Sequence, residues 1–305
     1  MTESAVPGPE DYDGHRAQLV SILDRQRLLL EGLIHALHQG DPYWSAEQKE
    51  VADTTALMVQ GIGVSAHSIT RLASEIGMGF RDCLGIARSI CEASLNVAYI
   101  AAAGSEACER AKRHALQKSF RDLHRETSMG GFRVKTVRTS DPPDPSGYPE
   151  LEEALAEFTR KGGREITDWT PHNLSQRIDI IREKFGDVAM TFAVSVVSIY
   201  RHSSELLHGT YFGSYFFWTA GEDGAPRSRA DLEYRLVASH LVSVISASWM
   251  SIHGMTSVLC RALNLASLAQ IDARLFDETA KYIGGPLQAI RPPSGASDPP
   301  AKPAA

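Results

Sequence analysis

The sequence is short of the residues that most directly announce a function. Its 305 residues hold four cysteines, Cys83, Cys91, Cys108 and Cys260, with no C-x-x-C pair among them. That spacing offers no zinc site and reads as buried free thiols in a reducing compartment. There is no G-x-G-x-x-G, P-loop, G-x-S-x-G or H-E-x-x-H, and no βαβ alternation. Those absences remove the motif-borne dinucleotide, phosphate-loop, hydrolase and metalloprotease readings. Positive charge is also in deficit: 31 Lys and Arg against 37 Asp and Glu give a net charge of −6. Such a chain has no global pull on nucleic acid or anionic lipid, so any nucleic-acid contact needs a local basic patch. Met1 to Gly14 lacks a basic start and an apolar run, so no signal peptide is expected, and the expected location is cytoplasmic. Leu236 to Cys260 has no Asp, Glu, Lys or Arg, but its six serines, two histidines and Gly254 dilute it. A helix buried in a bundle is expected there rather than a membrane span.

What is present is helical periodicity. Residues 13–39 repeat Leu19, Ile22, Leu23, Leu29, Leu30, Leu33, Ile34 and Leu37, and Gly40-Asp41-Pro42 ends the run. Further helices are expected over 45–77, 81–103, 105–126, 149–161, 175–185, 187–208, 231–264 and 267–282. The fold class is therefore all-α. A bundle over 13–284 is expected between a disordered 1–12 and a Pro-rich, disordered 285–305. Residues 127–149, rich in Gly and Pro and carrying Arg133, Lys135 and Arg138, read as a surface loop, with room for a short hairpin. His35 and His38 share a face, but no further ligands complete a set; no metal and no cofactor is expected.

Two polar stripes stand out on apolar helices. Arg88, Glu92, Asn96 and Tyr99 recur at i, i+4, i+8 and i+11, within roughly an 80° arc. Arg88 and Glu92 are placed to pair, since a buried charge needs a partner. The second stripe follows the uncharged run Val188–Ile199, expected to be deeply buried, and reads Tyr200-Arg201-His202-Ser203-Ser204-Glu205-Leu206-Leu207-His208. Arg201 and His208 fall within roughly 20° of one face and about 10 Å apart, with Glu205 between them to orient either. Gly209 ends the helix. Histidine can move the proton of a ribose hydroxyl and arginine can hold a phosphate, which is workable chemistry for RNA cleavage without metal. A competing match, Arg235 to His240, puts its two side chains on different faces.

The segments 65–125, with Arg88-Ser-Ile-Cys-Glu92-Ala-Ser-Leu-Asn96-Val-Ala-Tyr99, and 165–215, with Trp169 and Tyr200 to Gly209, together resemble an uncharacterised bacterial family, domain of unknown function 5677. More distantly the chain is similar to the HEPN superfamily of helical-bundle ribonucleases, whose signature is Arg, a polar residue, then His after four to six residues. Arg201, His202 and His208 match it with six intervening. That resemblance implies a HEPN-like bundle and a homodimer; this chain is longer than a minimal bundle, with additional N- and C-terminal helices. It implies Arg201 and His208 as catalytic, and His202 as a supporting group. Ser204, Glu205, Tyr200, Arg88, Glu92, Asn96 and Tyr99 are the further candidate supporting residues. Two functions follow as expectations. One is a metal-independent endoribonuclease in toxin, stress or phage-defence biology. The other is a non-catalytic module that binds a nucleotide, a nucleic acid or a partner protein, its charged residues forming a buried network.

Overall fold

A computed structural model describes residues 9–75, 79–123, 126–135, 144–220, 224–226 and 228–283. The fold is all-α. Helix α1 (Pro9–Gln39) and α2 (Ala46–Ala73) form an antiparallel pair. A capping box starts α2: the Ser45 hydroxyl accepts from the Gln48 amide, and the Gln48 side chain accepts from the Ser45 amide. Next come α3 (Phe80–Ala103) and α4 (Ser105–Leu123). Then β1 (Glu126–Met129) and β2 (Phe132–Lys135) pair as a hairpin across Gly130-Gly131, both at positive φ. Helices α5 (Pro149–Glu157) and α6 (Leu174–Phe185) follow. A 3-10 turn then leads into one rod: α7 (Met190–Ser195), a π-turn over Val196–Tyr200, and α8 (Arg201–Leu207). After α9 (Tyr211–Thr219), a second rod joins α10 (Arg229–Arg235) through a π-turn at Leu236–Leu241 to α11 (Val242–Ala262). Helix α12 (Ala266–Ile283) closes the described chain.

The core lies around α3 and α11, which pack on each other; α2 and α6 flank α3, and α1, α7 and α12 flank α11. Both central helices are rich in small residues. Gly254 permits the α7 contact, since a Cβ there would sit 2.2 Å from Thr191 Oγ1. Trp249, Phe80, Phe192, Leu23, Leu30 and Ile90 fill the interior. Polar ties cross it. The Trp44 indole donates to the Leu263 carbonyl (2.8 Å), and the Gln26 amide donates to the Trp249 carbonyl (3.0 Å). His253 Nδ1 meets the Asp272 carboxylate at 2.9 Å, linking α11 to α12.

Several expectations change. Helix α1 begins at Pro9, inside the stretch expected to be disordered; proline suits a first helical position, where no intrahelical N–H bond is lost. Residues 1–8 and 284–305 lie outside the described residues. Part of 127–149 is the hairpin; 136–143 lie outside the described residues. The run Val188–Ile199 is not deeply buried: Met190 is 59% and Val197 80% exposed. Lack of charge there marks apolar character, and the rod packs on only one side. Helix α9 had no counterpart in the sequence reading. All four cysteines are buried free thiols, and burial holds Cys83, Cys91 and Cys260 at about 12. The rod Arg229–Ala262 is, among the described residues, the one helix long and apolar enough to cross a membrane. Its most apolar window is 67% buried inside the bundle.

Candidate functional site

The small and apolar residues of α3 draw it into the core and carry its polar stripe to one wall of a cavity. Arg88 Nε meets Glu92 Oε1 at 3.2 Å, the pair expected from their spacing. The Arg88 guanidinium also lies over the Tyr200 ring, 4.1 Å from its centroid. One turn on, Asn96 Oδ1 accepts a hydrogen bond from Arg177 of α6. The Tyr99 hydroxyl pairs with His172 Nδ1 at 2.8 Å and accepts from Thr170 at 3.4 Å, and its ring meets Trp169 edge-on. Arg110 of α4 donates to the Trp169 carbonyl (2.9 Å), so the loop 168–173 is held from both sides.

Glu92, Leu95 and Asn96, the loop 168–173, Leu174 and Arg177 of α6, and Tyr200 enclose a cavity of about 420 Å³. That is within the range small-molecule sites occupy. Arg177 is its central charge. Burial lowers its pKa, opposed first by the charge of Glu92. Its Nε is buried without a hydrogen-bond partner.

The second stripe divides. Tyr200 joins the cavity; Arg201, His202, Ser204, Glu205 and His208 do not line it. The π-turn ending at Tyr200 explains part of this, since its wider turn rotates the residues that follow onto a different face. Helix α8 then runs back along the start of α3, where Arg81 donates to the Leu206 carbonyl (3.1 Å) and Gly85 makes room for Leu207. Arg81 lies eleven residues before Glu92, about 16 Å along the helix. The His208 end is thus well separated from the cavity. The Arg88–Glu92 pair, expected to support Arg201 and His208, instead backs Tyr200.

Arg201 and His208 are exposed, and among the described residues neither side chain takes a hydrogen bond or an ion pair. Glu205 does not orient them. It accepts the Thr210 hydroxyl at 2.8 Å, and Thr210 in turn caps α9 at the Gly213 amide. His202 stacks on Phe216 (4.1 Å between centroids, 8° between planes) and beside Phe212. Burial lowers its pKa, and the Arg201 charge adds to this. The competing residues Arg235 and His240 are buried. Arg235 pairs with Asp231 and donates to the Thr219 and Gly224 carbonyls; His240 Nε2 donates to the Phe217 carbonyl. They pin the loop after α9 and hold α9 against the π-turn.

Residues 55–225, more than half of the chain, match the profile of the family described as "Family of unknown function (DUF5677)". The chain belongs to this family. No curated protein and no solved structure matches it. The DUF5677 segment runs from within α2 to just past α9, so it holds both the cavity and the Arg201–His208 segment and leaves out α1 and α10 to α12. Sequence reasoning missed Asp168, Thr170, His172 and Arg177 in the cavity wall. Their local signal was a polar, aromatic linker, Asp168-Trp-Thr-Pro-His-Asn173, that ends in a capping box at Asn173 and Gln176. Among the described residues no cluster of three metal-ligating side chains occurs.

Proposed function

We propose that this DUF5677 protein is a cytoplasmic, metal-independent endoribonuclease of the HEPN type that works as a homodimer. The observation that carries the reading is the pair Arg201 and His208, exposed and, among the described residues, without side-chain partners on one helical segment. A charged group with no structural task is available to a substrate. Arg201 would hold the two free oxygens of a phosphodiester. His208 takes the 2′-hydroxyl proton as the 2′-oxygen attacks phosphorus. The imidazolium then returns that proton to the departing 5′-oxygen as the P–O bond breaks. The exposed aromatic side chains of α9, Tyr211 at 85% and Phe212, Tyr215 and Trp218 at 41–48%, support the homodimer, with Leu207 beside them.

The test is cleavage of a mixed RNA pool by purified protein with EDTA present, comparing wild type with Arg201→Ala and His208→Ala. Cleavage in wild type and its loss in both variants is the expected result. Cleavage that persists in both sinks the assignment. Light scattering reports the homodimer, and Tyr211→Ser with Phe212→Ser should give a monomer.

A second reading, the non-catalytic binding module, is favoured by the cavity itself, where charged and aromatic side chains, most of them half-buried, converge apart from Arg201 and His208.

A further inference from the structure

The cavity beside α3 and α6 holds an arginine with no carboxylate partner. Among the described residues, Arg177 makes no ion pair; its guanidinium is held by Asn96, and its Nε is buried and unpartnered. A half-buried guanidinium with a donor still unpartnered has hydrogen-bonding capacity left for an anion. The remaining charges in the wall are two carboxylates. Glu92 is already compensated by Arg88, and Asp168 is exposed. Arg177 lies in the field of Glu92 and Asp168, so the wall has cationic charge for one phosphate at most and disfavours a di- or triphosphate. Trp169 and Tyr200 supply the flat surfaces. The guanidinium of Arg88 covers one face of Tyr200, and the loop carrying Trp169 is pinned by Arg110 and Tyr99. The capping box at the start of α6 already occupies the Asn173 and Gln176 amides.

We infer that this cavity binds a nucleoside monophosphate, its phosphate on Arg177 and its base against Trp169 and Tyr200. Glu92 and Asp168 accept from amino groups on the base edge, the pairing that carboxylates make with such donors. The volume of about 420 Å³ limits the ligand to one nucleotide unit. This inference rests on the binding-module reading and not on catalysis at His208.

Titration calorimetry of the full chain against AMP, GMP, CMP, UMP, their nucleosides and inorganic phosphate tests it. At least one monophosphate should bind about tenfold tighter than its nucleoside and than phosphate alone. Arg177→Gln should weaken that monophosphate by about tenfold or more, while Arg182→Gln, a surface charge one turn along α6 paired to Asp179, stays within about twofold. In case Arg177→Gln fails to fold, wild-type fluorescence supplies an independent measure. The bound monophosphate should change the emission, and the change should vanish in Trp169→Phe. Absence of binding by all four monophosphates at millimolar concentration overturns the proposal, as does equal binding by nucleosides or by phosphate. His208→Ala should bind with wild-type affinity, so failure of the ribonuclease reading and failure of this one are read separately.

Discussion

Arg88 and Arg201 are each followed four residues later by a glutamate, on helices that pack against each other. Arg88 pairs with Glu92; Arg201 does not pair with Glu205. The difference lies in what else each glutamate can reach. Among the described residues Glu92 accepts no hydrogen bond from a hydroxyl, and Arg88 is already oriented by the Tyr200 ring. At Glu205 the chain turns back through Gly209, at φ +65°, and brings the Thr210 hydroxyl to the carboxylate. A hydrogen bond to a charged group contributes about 1.5–3 kcal/mol, whereas an exposed i,i+4 ion pair contributes about 0.3–0.5 kcal/mol. The hydroxyl wins, and the arginine is left to solvent. Identical spacing thus gives a structural pair in one region and an unengaged cation in the other.

The largest expected effect breaks this comparison at its functional end. Under the proposed activity His208→Ala should lower RNA cleavage roughly 10²–10⁴-fold, and Arg201→Ala roughly 10²–10³-fold. Glu205→Gln should leave the rate close to wild type, because Thr210 can still donate to the amide oxygen. A large rate loss in Glu205→Gln would mean that Glu205 orients the pair after all.

Next in size is Gly213→Ala. A Cβ at this position would lie 2.5–2.6 Å from the backbone of Glu205 and Leu206. Forcing α9 off α8 should cost about 1–3 kcal/mol in chemical denaturation. A neutral result would show that the Thr210 turn is not close-packed. On the α3 side, Tyr99→Phe removes a hydroxyl bonded to His172 and Thr170 and should cost about 1 kcal/mol. The same measurement checks it.

The smallest expected effect is on pH dependence. Burial holds the pKa of His240 below its ordinary value, and does the same for His202. Above the ordinary histidine range both states are neutral and stability is full. As pH falls through about 6.5 the unfolded chain takes up protons first, so stability falls until the folded-state values are reached. Denaturation midpoints at pH 7 and pH 5 should show this loss. His240→Gln keeps a donor for the Phe217 carbonyl and should flatten it.

The family resemblance read from residues 65–125 and 165–215 agrees with the DUF5677 match over 55–225. The sequence was legible wherever the deciding interaction spans a few residues. Apolar periodicity and turn chemistry located most of the helices and their breaks at Gly40, Gly104, Gly186 and Gly209. The Arg88–Glu92 pair is set by one helical turn, and the burial of the cysteines follows from their apolar neighbours. Helix α9 escaped because aromatic residues lie on all its sides and give no periodicity; Thr210 was its only local mark.

The cavity was decided by tertiary structure alone. Asn96 meets Arg177 across 81 residues, and Tyr99 meets His172 across 73. No local pattern encodes such pairings, because they depend on how α3, α6 and the linker dock. The same holds for the split of the second stripe, where a π-turn and the return of the chain at Gly209 set which side chains face the cavity and which face solvent. Local hydrogen bonding and apolar periodicity determined the helices and one ion pair. Packing determined which of the remaining charges found partners, and so which ones are left for a ligand.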